Sequence, residues 1–382
     1  MKALAPELLH EIWTLACIDG GFTGCSLSLV SKDIRNASRS ARFNSVAISG
    51  TSKQLTAFLN CFSKELAIAK AEGGGYRPVV KHLFFAAAEG SEVREDWRED
   101  LNLFNILRGD ADPAEVARKA RVDAASTQYR QDLAALFRLV SRDLQTLSFV
   151  HCHGWYTFTN LPPIECPDGF PALRELYLYG KNPFVDATGS PVNLPHLTHL
   201  RLPFSSYSKE EDLVDWATRA PEVTHLCISY IMRVTQGLED IATEKGPFKK
   251  LSHLYLEPQS PPAPGGRCGN PYIAYGKYKI DFDNFLAAAT LAKLKALPHR
   301  IRGVSTEKAA MEEWLDRIGG GTGCWIPIEP RPADWVPAKR QNLWIVNRAN
   351  SLAVICSGGQ YSLSQFYVVM HVRRAAPIQL LL

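Results

Sequence analysis

The chain has 382 residues, 46% of them hydrophobic and 21% charged, with a formal net charge of +4. Such a composition builds a sizeable core and excludes a disordered chain. The mild basicity comes without a dense Lys/Arg run, so it demands no nucleic-acid partner. The length suits two or three structural units, or one repeat array. No stretch approaches the roughly 18 consecutive apolar residues of a membrane span. Pro6, Glu7, His10 and Glu11 interrupt the apolar run that a secretory leader would need. The nine cysteines are scattered, odd in number and without a CxxC pair. They read as reduced, mostly buried thiols in the cytoplasm or nucleus.

The first forty-five residues read as three short helices. Leu9, Ile12, Trp13 and Ala16 share one helical face. Pro6 stands where a missing N–H costs nothing, and Asp19-Gly20-Gly21 ends the helix. Ser26 is placed to cap a second helix carrying Leu27, Leu29 and Val30. Ser31 to Arg35 leads into a third, ending before Phe43. Three such helices bury too little surface to stand alone. They must dock, either on the following residues as a cap or on a partner.

Leu4-Ala5-Pro6-Glu7-Leu8-Leu9-His10-Glu11-Ile12-Trp13 resembles the opening of the F-box, Leu-Pro-x-Glu-Leu-Leu-x-x-Ile-Phe. Leu27-Ser28-Leu29-Val30-Ser31-Lys32-Asp33-Ile34-Arg35 resembles its second half. Ala5 replaces the first proline, Trp13 a phenylalanine, and Ile34 stands where tryptophan is common. The resemblance covers residues 4 to about 45. It implies docking onto the adaptor subunit of a cullin–RING ubiquitin ligase through Pro6, Leu8, Leu9, Ile12, Leu29 and Val30.

Beyond residue 45 a unit Leu-x-x-Leu-x-Leu recurs. It stands at Leu144-x-x-Leu147-x-Phe149, Leu173-x-x-Leu176-x-Leu178, Leu197-x-x-Leu200-x-Leu202, Val223-x-x-Leu226-x-Ile228 and Leu251-x-x-Leu254-x-Leu256. The first positions are 29, 24, 26 and 28 residues apart, the period of leucine-rich repeats. Phe43-x-x-Val46-x-Ile48 and Val80-x-x-Leu83-x-Phe85 are two earlier candidates. The second and third hydrophobic positions of each short strand point into a core, and the residues flanking the second point away. Helices are expected between strands, at Leu133, Leu136, Phe137 and Val140, at Met311, Trp314, Leu315 and Ile318, and more weakly at Lys209 to Arg219. The class is therefore α/β: a short helical unit followed by a solenoid of parallel strands with flanking helices.

In parallel strands the outward residues line one concave face. Glu175, Tyr177, His199, Arg201, His225, His253 and Tyr255 are the candidate partner-binding residues there, a mixture suited to a protein surface. His199, His225 and His253 recur at one position of adjacent units. A metal site, a pH-sensitive ladder and plain exposed polar side chains are the open readings, and the last is adopted.

The mixed-charge stretch 86–128 reads as an insertion, helical or partly disordered. The Pro/Gly-rich stretch 258–276 reads as a loop. Gly319-Gly320-Gly321 closes a helix, since no Gly-Lys-Ser/Thr follows it as a phosphate loop requires. Residues 326–382 do not continue the repeat. No motif supports an enzyme, a metal or a cofactor. The expected organisation is a helical unit 1–45, a repeat array 46–325 and an atypical segment 326–382. Together the two halves resemble F-box substrate receptors of the fungal type. That resemblance implies an SCF ubiquitin-ligase adaptor that holds an unknown target protein on its repeats. The alternative is a repeat scaffold outside any ligase, with residues 1–45 as a cap.

Overall fold

The computed structural model describes residues 5–50, 52–73, 76–87, 113–151, 163–203, 210–231, 236–241, 246–258, 271–291, 295–296 and 307–325. These belong to the first of two units, Met1–Pro330; the second, Arg331–Leu382, lies outside the described residues, as does the rest of the atypical segment from 326.

The helical opening is α1 (Pro6–Ala16), α2 (Phe22–Val30) and α3 (Lys32–Ala37). Pro6 lies in the first turn of α1, as expected. Ser31 caps α3 by accepting from the Ile34 N–H at 3.1 Å. Ser26 does not cap α2. The helix starts four residues earlier, because Gly21 turns the chain at φ 100° and the Asp19 carboxylate accepts from the Thr23 N–H at 2.9 Å and its hydroxyl at 2.6 Å. Ser26 instead sits within α2 and donates to the Phe22 carbonyl.

The inner side of this unit is bound to the first strand, β1 (Ser45–Gly50). The Ser45 hydroxyl donates to the Cys17 carbonyl at 2.8 Å and accepts from the Gly20 N–H at 3.0 Å. The Ala47 N–H reaches the Gly20 carbonyl at 3.0 Å. An edge strand that would otherwise offer free backbone groups is thereby covered. Arg39 and Arg42 tie the end of the unit to Glu65 on α4 (Ser52–Ala71), and Arg39 also reaches Glu72 just past the end of that helix.

Gly24 packs α2 against the backbone of Arg42, where an added Cβ would overlap the Arg42 carbonyl. Helix propensity favours alanine over glycine by about 1 kcal/mol. Gly24→Ala is nevertheless expected to destabilise the protein by about 1–3 kcal/mol through overpacking. Urea unfolding of the two proteins decides it, and a stabilised variant would disprove this packing.

Parallel strands follow in chain order: β1, β2 (His82–Ala87), β3 (Thr146–Val150), β5 (Glu175–Tyr179), β7 (His199–Pro203), β8 (His225–Ile231), β9 (His253–Pro258) and the short β10 (Lys295–Ala296). A separate pair, β4 (Ile164–Glu165) and β6 (Phe184–Val185), lies between β3 and β7 in sequence. The fold is thus mixed α/β with one main parallel sheet. All seven hydrophobic units, including the two early candidates, fall on its strands. Their second positions stand in one register, Val46, Leu83, Leu147, Leu176, Leu200, Leu226 and Leu254. The entry to β2, β3, β5, β7, β8 and β9 is also repeated. Two successive N–H groups, as of Thr224 and His225, donate to one carbonyl of the preceding unit, here Thr198.

The second and third positions fill one core with Leu55, Leu59 and Phe62 of α4 and with Leu133, Leu136, Phe137 and Val140 of α5 (Pro113–Val140). Phe85, Phe137, Phe149, Phe170 and Phe184 form a run of edge-on and stacked rings in it. Helix α6 (Glu210–Arg219) adds Leu213 and Trp216, and α7 (Gln236–Ile241) adds Leu238 and Ile241.

The two interruptions expected from the sequence also need correction. The stretch 86–128 is not one insertion: Ala86 and Ala87 complete β2, and residues 113–128 run without a break into the helix expected around Leu133. Residues 88–112 lie outside the described residues. The loop expected at 258–276 ends early, because Pro271 opens α8 (Pro271–Leu291), a position where proline costs no hydrogen bond. Residues 259–270 lie outside the described residues.

Candidate functional site

The face expected to be open is largely covered by the chain itself. Helix α9 (Glu307–Ile318), one of the helices expected from the apolar spacing, crosses the face opposite α4 and α5, against β2 and β3. Side chains alternate along a strand, so Phe85 faces α5 while Phe84 faces Trp314 of α9, ring centroids 5.8 Å apart. Phe84, Ala86, Val150, Tyr177, Tyr179, Cys227 and Tyr255 form a second core with Ala310, Trp314, Cys324 and Trp325. Gly20, at φ +77°, lets the N-terminal loop pass close to Trp314 and Leu315.

Polar groups fix this strap. Arg317 holds Glu175 with two parallel bonds, Nη2 to Oε1 at 2.7 Å and Nε to Oε2 at 2.9 Å. Burial would raise the Glu175 carboxyl, but the Arg317 guanidinium holds it below the ordinary carboxylate range. Arg201, 3% exposed, pairs with Glu313 of α9 and with Glu257 at 2.7 Å, and its Nε donates to Ser229 at 3.0 Å. Burial opposes the Arg201 charge, but Tyr179, Glu257 and Glu313 outweigh that and raise its pKa further. Trp325 donates from Nε1 to the Tyr177 hydroxyl at 2.9 Å.

Of the residues expected to bind a partner here, Tyr177, Arg201 and Tyr255 are buried beneath the strap, and Glu175 is engaged by Arg317. His199, His225 and His253 remain half-buried along the strand entries. Their rings stack, with centroids 4.2 Å apart for His199–His225 and 4.4 Å for His225–His253. Trp325 stands edge-on to His199 and His225. The residue before each histidine explains the stack. The hydroxyls of Thr198, Thr224 and Ser252 spend their hydrogens on carbonyls of the preceding unit. Each hydroxyl oxygen therefore accepts from its neighbour's Nδ1–H, at 2.8–2.9 Å. Nε2 is then the acceptor nitrogen, and parallel rings direct these acceptors side by side rather than at one point. No group of metal-ligating residues able to hold an ion occurs among the described residues.

Burial, with His225 and Arg317 adding to it against Glu175, pushes His199 down to about 4. Burial and Lys81 do the same to His82, also to about 4, where Glu175 again opposes. Burial and His253 lower His225 as well. Below the ordinary histidine value of 6.5 the unfolded chain therefore binds more protons than the native one. The stability these rings contribute is complete above pH 6.5 and is lost as the pH falls toward 4. We expect urea unfolding at pH 5 to show about 2 kcal/mol less stability than at pH 7, discounting for partial exposure. A His82→Gln/His199→Gln variant should show a flatter dependence over that window. An unchanged slope would rule out these two rings as its source.

The helical unit presents the other candidate surface. Leu8, Ile12, Leu29 and Val30 are exposed, at 50%, 46%, 82% and 63%, joined by Leu15 at 68% and Phe22 at 77%. Leu9 is half-buried. The side chain of Pro6 lies outside the described residues. Leu15 and Phe22 escaped the sequence reading because they lie outside the matched motif positions; helical spacing from Leu8 and Ile12 was the available signal for Leu15. Among the described residues no helix is long and apolar enough to cross a membrane. No family model, curated protein or solved structure matches the chain.

Proposed function

We propose that the protein is the target-recognition adaptor of an SCF-type cullin–RING ubiquitin ligase, built as an F-box-like unit on a leucine-rich-repeat solenoid. The carrying observation is the two-sided use of the first forty-five residues. Their inner side is hydrogen-bonded to β1, whereas Leu8, Ile12, Leu29 and Val30 stay in water. A cap needs only the inner side. Exposed apolar side chains gathered in one short unit mark an interaction surface, and each aliphatic group buried on docking contributes about 1.5–3 kcal/mol. The adaptor subunit of the ligase is the partner that the F-box-like sequence implies. The target protein then meets the half-exposed histidine edge of the sheet and the outer side of the strap.

Co-purification of the full chain with the ligase adaptor subunit tests the proposal, beside an Ile12→Asp/Leu29→Asp variant. Both positions are exposed, so this variant should melt like the wild type while losing the adaptor. Wild-type protein that retains no adaptor would reduce the helical unit to a cap and the protein to a repeat scaffold.

A further inference from the structure

Helix α8 has two unlike faces. Tyr278, Phe282 and Phe285 share the inner one, their successive rings stacked at 6.0 and 6.5 Å, and Phe285 is buried. On the other side Ile273, Gly276, Ile280, Asn284 and Ala287 follow at helical spacing, and all five are exposed. Ile273 and Ile280 stand 70% and 63% in water. Gly276 lies inside the helix, where an added Cβ would meet nothing within 4 Å. Glycine is a poor helix former, and packing within the chain does not require it here. It does let a second backbone come close. The charges divide about Ile280: Lys277 and Lys279 precede it, and Asp281 and Asp283 follow.

We propose that this face binds the same face of a second copy of the chain, the two α8 helices running antiparallel about a two-fold axis at Ile280. The pattern is self-complementary, as an isologous contact requires. Ile280 meets its own counterpart, Ile273 meets Ala287 of the second copy, and Gly276 lies across from Asn284. The lysine half of each helix then faces the aspartate half of the other. Parallel pairing would set lysine against lysine and aspartate against aspartate. Charge order and apolar order therefore select one occupant and one direction. A single helix face per copy buries less than the roughly 1,200 Å² of a standard interface, so the dimer is a weak one. The inference concerns α8 alone and does not rest on docking by the helical unit.

Sedimentation equilibrium of the full chain tests it, from about 1 to 200 µM, where so small an interface associates. The mass should rise with concentration from that of one chain toward twice that value, and less steeply at high salt. Ile280→Asp places two carboxylates at the axis and should weaken association at least about tenfold. Ile12→Asp/Leu29→Asp, in the helical unit, should leave it unchanged. Lys277→Asp/Lys279→Asp and Asp281→Lys/Asp283→Lys should each lose self-association, because each makes one helix uniformly charged. Their equimolar mixture should regain it to within about threefold of the wild type. Recovery on mixing does not come from a misfolded variant. A wild type that stays monomeric throughout, a dimer that Ile280→Asp leaves intact, or charge variants that remain monomeric when mixed overturns the proposal.

Discussion

Replacing Trp314 by alanine is expected to lower the unfolding free energy by about 3–5 kcal/mol, the usual cost of truncating a buried tryptophan. Trp314 is 1% exposed and contacts Phe84, and its indole N–H reaches the Thr146 hydroxyl at 3.4 Å. The cavity would lie between α9 and the sheet, where neither side collapses easily. Behind β2 and β3 stands the first core, and the outer side of α9 meets water. Urea unfolding measures the loss. A second readout separates strap from core: amide exchange should quicken in residues 307–318 more than in α5. Uniform acceleration would mean that the strap and the sheet unfold as one unit.

Arg201→Ala is expected to cost a similar amount, about 3–5 kcal/mol, for an electrostatic reason. The guanidinium lies between two carboxylates, Glu257 on β9 and Glu313 on α9. Without it, Glu313 is left buried and charged. Glu257, being partly exposed, keeps some hydration. Replacing both partners differs from removing one, since an apolar pair of similar volume is often neutral. Arg201→Met/Glu313→Leu should therefore recover most of the stability that Arg201→Ala loses. Equal losses in the two variants would show that packing around the arginine stem, rather than stranded charge, sets the cost.

The strand frames were legible in the sequence because the information for them is local. A Leu-x-x-Leu-x-Leu unit needs only alternation and its own period to declare which residues enter the core. Val46 and Leu254, at the two ends of the run, therefore fall in one register. The three N-terminal helices were equally local, though the start of α2 was not. Asp19 acts there across a left-handed glycine, and a serine at the wrong place looks like the same signal.

Tertiary structure decided the covering of the second face. Met311, Trp314, Leu315 and Ile318 show a helical apolar stripe, but a stripe does not say which surface it meets. Helix α9 follows β10 in the chain and meets the row of Phe84, Tyr177, Cys227 and Tyr255, whose side chains looked outward when only strand alternation was considered. The same contact turned Arg201 from a candidate binding residue into the centre of a buried ion-pair cluster, and it set Trp325 beside the stacked histidines. Hydrophobic alternation is written in each strand and holds for any partner. Which partner covers the outer side depends on residues far away in the chain, as Trp325 is from Tyr255 and Trp314 from Phe84, and no local pattern carries that.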